Sequence, residues 1–283
     1  MVYFEPYGVL FWLCLALIAG NVIVLTLLFR KKPYAVRRRA VLILCLANIV
    51  LYLVYKASLP FNAQYVALYY GEESFTYWSE LPLFPCTFAI VALPFAFPRE
   101  KDSPLFSKIK NALIGICVAG GTFGAVFTFF SPAGEMLEIP FFTMVCIGYY
   151  GEHILLMICA FLLLTLGIYK PHFRELPVHL LCGVALILLM HGINLALVTS
   201  GVAPKANYFF TMSDGDAELM AFFQSFFPSP LLAILTVAMM LYTAIDIVLI
   251  AVTNVARTLF GKNKELRGDS MEGRSGVRAG DSG

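Results

Sequence analysis

Charged side chains are scarce in this chain of 283 residues, where Asp, Glu, Lys and Arg together make up 13 %. A water-soluble domain carries about a quarter, so an ordinary soluble globule is excluded. Apolar residues reach 60 %, which excludes a disordered chain. A net charge of +2 provides no broad basic surface for nucleic acid. Disulfide and metal frameworks are missing too. The seven cysteines (Cys14, Cys45, Cys86, Cys117, Cys146, Cys159, Cys182) all lie in apolar runs, none pairs off in a loop, and no metal-ligand spacing occurs. The sequence implies no cofactor and no metal. There is no internal repeat and no matched pair of broken helices in the two halves, which weakens a transporter reading.

What the chain has instead is apolar runs, and about 20 such residues cross a bilayer. Seven segments qualify: Gly8 to Phe29, Ala40 to Leu59, Leu81 to Phe97, Asn111 to Phe130, Phe141 to Tyr169, Pro177 to Val198 and Pro230 to Asn254. The expected fold is all-α: a polytopic membrane protein with a seven-transmembrane-helix bundle over residues 1–260 and a disordered, Gly/Ser-rich charged tail over 261–283. The first run lacks a charged leader and a cleavage site, so it reads as a retained helix. Gly148 and Gly151 offer the long fifth run a kink. Pro82, Pro85 and Pro94 make the ends of the short third run irregular.

All basic residues except Lys56 and Lys205 fall in four regions: 30–39, 99–110, 170–174 and 257–278. The excess of Lys and Arg places those regions in the cytoplasm, and with them the C-terminus. The N-terminus is then exoplasmic or luminal. The opposite loops are acidic, with Glu72, Glu73, Glu80, Glu135, Glu138, Asp214, Asp216 and Glu218.

Ionisable groups inside a span are costly and point to a cavity or a site. They are Lys56, Glu152, His153, His179, His191 and Asp246, joined by the uncharged Asn21, Asn48 and Asn194. At about 1.5 Å of rise per residue, Lys56, Glu152, His153, His191 and Asn194 gather in the exoplasmic half. His191 and Asn194, three positions apart, share a helix face. His179 and Asp246 lie toward the cytoplasm. Cys86 differs from the other cysteines because it follows Leu81-Pro82-Leu83-Phe84-Pro85, where the prolines remove backbone donors and leave an irregular stretch that aims a thiol inward. A packing role, snorkelling for Lys56 and a structural pair between Glu152 and Lys56 or a histidine are the plainer readings.

A cysteine becomes a nucleophile when a base assists it, and His153 is available for that task. Lys56, His191 or Asn194 can donate to an oxyanion or a lipid headgroup. Two familiar seven-helix classes drop out. The last run has no lysine for a retinal Schiff base, and neither an acidic-Arg-aromatic triplet nor an Asn-Pro motif occurs in the places a rhodopsin-type receptor needs them.

Leu83-Phe84-Pro85-Cys86, Gly148-Tyr149-Tyr150-Gly151-Glu152-His153-Ile154-Leu155-Leu156, His191-Gly192-Ile193-Asn194 and Asn207-Tyr208-Phe209-Phe210 together resemble the YwaF-like bacterial integral membrane proteins. They also resemble the related eukaryotic transmembrane acyltransferase of ether phospholipids, as does Tyr55-Lys56-Ala57. The resemblance spans roughly residues 45–215. It implies an intramembrane acyltransferase that passes an acyl chain from a phospholipid to Cys86 as a thioester, with His153 as base, and then to a lysophospholipid without acyl-CoA. Lys56, Tyr149, Glu152, His191, Asn194 and Asn207 would support binding. Glu152 stands where the eukaryotic relative has an uncharged amide, and Thr87 where it has a histidine. Related androgen-induced lipid hydrolases use a threonine with a histidine, so Thr87 is a second candidate. The implied partners are membrane phospholipid and lysophospholipid, with no nucleic acid or protein partner, in a bacterial plasma membrane or a eukaryotic internal one. A transporter or ligand receptor built on the same buried charges is the alternative.

Overall fold

A computed structural model describes residues 1–71, 74–97, 102–213 and 218–254. Every regular element among them is helical. In chain order these are α1 (Val9–Phe29), α2 (Tyr34–Ser58), α3 (Ala63–Tyr70), α4 (Pro85–Ala96) and α5 (Pro104–Phe130). Then follow α6 (Gly134–Glu138), α7 (Met144–Thr165), α8 (Leu176–Thr199), α9 (Glu218–Gln224) and α10 (Pro230–Asn254), whose turns at Ile234–Ala238 are π-helical. Six of them, α1, α2, α5, α7, α8 and α10, are long and apolar enough to cross a bilayer. The chain is an integral multi-pass membrane protein. Helices suit that solvent because they satisfy their own backbone polar groups.

The third apolar run departs from expectation. Its helix, α4, has 12 residues, about 18 Å at 1.5 Å per residue, against a hydrocarbon core of about 30 Å. The residues before it form a turn in which the Leu83 amide bonds the Leu81 carbonyl. Pro85 then opens the helix where its missing N–H costs nothing.

The fifth run differs as well. Its helix is shorter than the run and continuous, because Thr143 caps one end and Gly167, at φ +65°, turns the chain at the other. A Cβ on Gly148 would lie 2.5 Å from Tyr55 Cβ, and one on Gly151 3.1 Å from Leu51 Cδ2, so the two glycines let α2 close on α7. Gly121 and Gly124 do the same for α4 against α5, facing Ala89 and Cys86. The result is a core centred on α7, packed on by α1, α2, α4 and α5, with α8 against α5.

α2 begins ahead of its apolar run and takes in Arg37, whose guanidinium donates to the Leu166 carbonyl at the end of α7. The tail at 261–283 lies outside the described residues, as do the loop charges Glu72, Glu73, Arg99, Lys101, Asp214, Asp216 and Arg257.

Candidate functional site

Cys86 is the second residue of α4. The first amides of a helix have no partner within it, and Cys86 and Thr87 both stand in that first turn. Behind the cysteine is Gly124 of α5, where a Cβ would approach Cys86 Cβ to 3.2 Å. Thr87 is buried and its hydroxyl donates to the Phe84 carbonyl at 3.2 Å, so that oxygen is already engaged.

The approach to Cys86 is anchored from the far side of the sequence. The Tyr208 hydroxyl accepts from the Leu81 amide at 3.2 Å and donates to the Trp78 carbonyl, and its ring meets Phe84 edge-on at 5.3 Å. Asn194 of α8 holds that tyrosine in place. Its side chain accepts from the Tyr208 amide and donates to the Tyr208 carbonyl and the Thr211 hydroxyl, all within 2.9 Å. Asn207 accepts from the Met212 amide at 3.0 Å and donates to the Ser213 carbonyl, closing the same turn. The clamp holds Phe209 and Phe210 at φ 59° and 54°, a conformation that costs a non-glycine residue about 1–3 kcal/mol. Asn194 and Asn207 therefore support the Cys86 segment, and every polar atom of the Asn194 side chain is spent on that task.

α7 supplies Tyr149, Glu152 and His153. His153 Nδ1 lies 2.6 Å from the Tyr149 carbonyl. A carbonyl only accepts, so Nδ1 carries the proton and Nε2 is left as the basic nitrogen. The Tyr149 ring packs on the imidazole with centroids 5.0 Å apart. Tyr149, Glu152 and Lys56 all stand within electrostatic reach of the Cys86 sulfur. Among the described residues no hydrogen bond joins Cys86 to His153. Glu152 is 1 % exposed; its Oε1 is 3.7 Å from His153 Nδ1, beyond bonding range, and its Oε2 has no partner among the described residues. Asn48 of α2 donates to the Glu152 backbone carbonyl at 3.0 Å.

Lys56 does not pair with Glu152. It bonds Glu80 at 2.6 Å, with its ammonium 4.8 Å from the centre of the Tyr55 ring. Glu80 also accepts from the Tyr65 hydroxyl at 2.7 Å and the Tyr70 hydroxyl at 3.1 Å, and its backbone carbonyl from Tyr52 at 3.1 Å. Burial first, and then the Glu80 carboxylate, push the Tyr65 and Tyr70 hydroxyls above the usual phenol range, so both remain protonated donors. Glu80 is the residue that sequence reasoning passed over as a loop acid. Its signal was its position: unlike Glu72 and Glu73, it abuts an apolar run.

The structure thus gathers Cys86, Lys56, Tyr149, Glu152 and His153 from α2, α4 and α7. His191 is partly buried with an unpartnered Nδ1, and no contact among the described residues links it to the group. His179 and Asp246 meet each other elsewhere, at 2.9 Å. An apolar groove between Leu15, Ile18 and Val22 of α1 and Phe161 of α7 lies about 12 Å along α7 from His153.

The family model that matches this chain is described as the TMEM164 family, over residues 4–252. The chain belongs to the TMEM164 family. None of the curated proteins and none of the solved structures compared with it matches. The TMEM164 match takes in every residue of the gathered group, from Lys56 to His153, and ends within α10. The likeness read from the motifs thus holds at the level of the family.

Proposed function

We propose that the chain is an intramembrane phospholipid acyltransferase, with Cys86 as nucleophile and His153 as general base. One observation carries the reading. Cys86 stands in the first turn of α4, where backbone amides have no partner within the helix, and His153 of α7 is locked in the tautomer a base requires.

In the first half-reaction His153 Nε2 takes the thiol proton and the sulfur attacks the ester carbonyl of a phospholipid. The amides of Cys86 and Thr87 receive the oxyanion, a contribution of about 3 kcal/mol per donor in such sites. The ester C–O bond breaks, His153 returns the proton to the departing lysophospholipid oxygen, and a thioester remains. In the second half a lysophospholipid hydroxyl gives its proton to His153 and attacks the thioester, the C–S bond breaks, and His153 returns the proton to the Cys86 sulfur. Water in that place releases a fatty acid, so hydrolysis is the natural side reaction. No cofactor or acyl-CoA takes part.

The proposed topology has an exoplasmic N-terminus and a cytoplasmic C-terminus, with α4 and its irregular lead-in serving as a seventh, incomplete crossing. The membrane is a bacterial plasma membrane or a eukaryotic internal one, and the partners are its phospholipids and lysophospholipids. The test is acyl transfer in vesicles free of acyl-CoA, from a labelled phospholipid to a lysophospholipid. Purified protein should transfer label, while Cys86→Ala and His153→Ala should not. Full transfer by Cys86→Ala would overturn the reading. Uptake of a solute at a rate unaffected by Cys86→Ala would favour a carrier instead.

A further inference from the structure

A second polar cluster lies toward the end of α7 remote from His153, and the acyl-transfer reading does not use it. His179 of α8 and Asp246 of α10 are almost completely buried, and Nδ1 meets Oδ2 at 2.9 Å. The carboxylate accepts from that nitrogen, which directs Nε2 away from it. His179 Nε2, the Tyr169 hydroxyl and the Tyr242 hydroxyl are all buried and have no partner among the described residues. The first two are neighbours, and Tyr242 stands one turn before Asp246 on α10, its Cε2 3.9 Å from where a Cβ on Gly120 of α5 would lie. A Cβ on Gly115 of α5 would lie 2.6 Å from both His179 Nε2 and the Tyr169 hydroxyl, so these atoms are no farther apart than twice that distance. Tyr242 is within electrostatic reach of Asp246 and Tyr169, and Tyr169 of Asp246 and Glu175. Glu175 immediately precedes α8 and has a buried, unpartnered Oε2.

We propose that His179 Nε2, Tyr169 and Tyr242 form an internal water-binding site between α5, α8 and α10. Buried polar atoms are rarely left unsatisfied, and a buried water typically takes two to four such partners. The chemistry asks for a ligand that can both donate and accept, since an imidazole nitrogen does one or the other according to whether it carries a proton and the phenols can use either. Water meets that need; an acyl chain does not. Gly115 is what admits the ring and the phenol to the same spot, because any side chain there would displace both.

X-ray hydroxyl-radical footprinting of the full chain in vesicles tests this, since radicals form at bound water and label adjacent side chains. Tyr169 and Tyr242 should be labelled despite their burial. Tyr52, also buried but with its hydroxyl bonded to the Glu80 carbonyl, should not be. Tyr169 and Tyr242 as unlabelled as Tyr52 would overturn the proposal. In Gly115→Ala the labelling at Tyr169 should be lost. Its persistence in a folded variant would overturn the site as drawn, and if that variant does not fold the wild-type comparison still decides.

Discussion

Glu80→Gln removes one charge and little volume from the clasp around Lys56, and its cost can be worked from the structure. The carboxylate accepts three side-chain donors, Lys56 at 2.6 Å, Tyr65 at 2.7 Å and Tyr70 at 3.1 Å. Glutamine keeps one acceptor oxygen, turns an NH2 toward the remaining donors and leaves the ammonium without a counter-ion. Breaking a fully buried pair costs about 3–5 kcal/mol, and an exposed pair is worth about 0–1 kcal/mol. With side-chain exposures of 17 % and 6 %, this pair lies toward the buried limit, so about 2–3 kcal/mol is expected after allowing for residual solvent. At roughly 2–4 °C per kcal/mol for a large domain, the thermal midpoint in detergent should fall by roughly 4–12 °C. Trp78, two residues away, provides a fluorescence readout beside circular dichroism. Lys56→Met together with Glu80→Gln should be more stable than Glu80→Gln alone, because no orphan charge remains, and the double-mutant cycle should show a coupling of about 1 kcal/mol or more. An unchanged midpoint in Glu80→Gln, or strictly additive effects, would refute the clasp.

Three further outcomes follow from the packing and the phenols. Gly124→Ala sets a Cβ 3.2 Å from Cys86 Cβ; the displaced nucleophile should slow acyl transfer by roughly tenfold, with little change in thermal midpoint, and an unchanged rate would show that the spot tolerates movement. Gly148→Ala places a Cβ 2.5 Å from Tyr55 Cβ and should destabilise the chain by about 1–3 kcal/mol through overpacking, measured by denaturant unfolding in micelles. The folded state holds the Tyr65 and Tyr70 protons beyond the ordinary phenol value of 10.0. Their contribution to stability is therefore complete below that pH and declines above it, so the midpoint should be level from neutrality to about pH 9 and then fall, less steeply in Tyr65→Phe.

How far the sequence could be read depended on which force sets each feature. The spans at α1, α8 and α10 were legible to within a residue or so, because lipid selects length and apolarity directly. α4 was legible in part: its prolines announced the irregular lead-in, but hydropathy alone did not show that only 12 residues would be helical. The packing role of the core glycines was hidden because only the tertiary fold brings Tyr55 and Leu51 against Gly148 and Gly151. Of the candidate site, Cys86, Tyr149 and His153 carried local signals: a proline-framed thiol, and an ionisable group at mid-span beside an aromatic. Glu80 and Lys56 are 24 positions apart and meet through a turn and α3, so no spacing announced them. Asn194 stood out in the sequence as a polar group within a span, but its partners, Tyr208 and Thr211, lie on a loop whose path periodicity does not encode.

The central claim is that Cys86 carries the acyl chain, and intact-protein mass spectrometry addresses it directly. Purified chain incubated with phospholipid should gain the mass of one acyl group, lose it on treatment with hydroxylamine or on addition of lysophospholipid, and gain nothing as Cys86→Ala. Failure of the wild-type chain to acquire an adduct under conditions where it transfers acyl chains, or the same adduct on Cys86→Ala, would contradict the account.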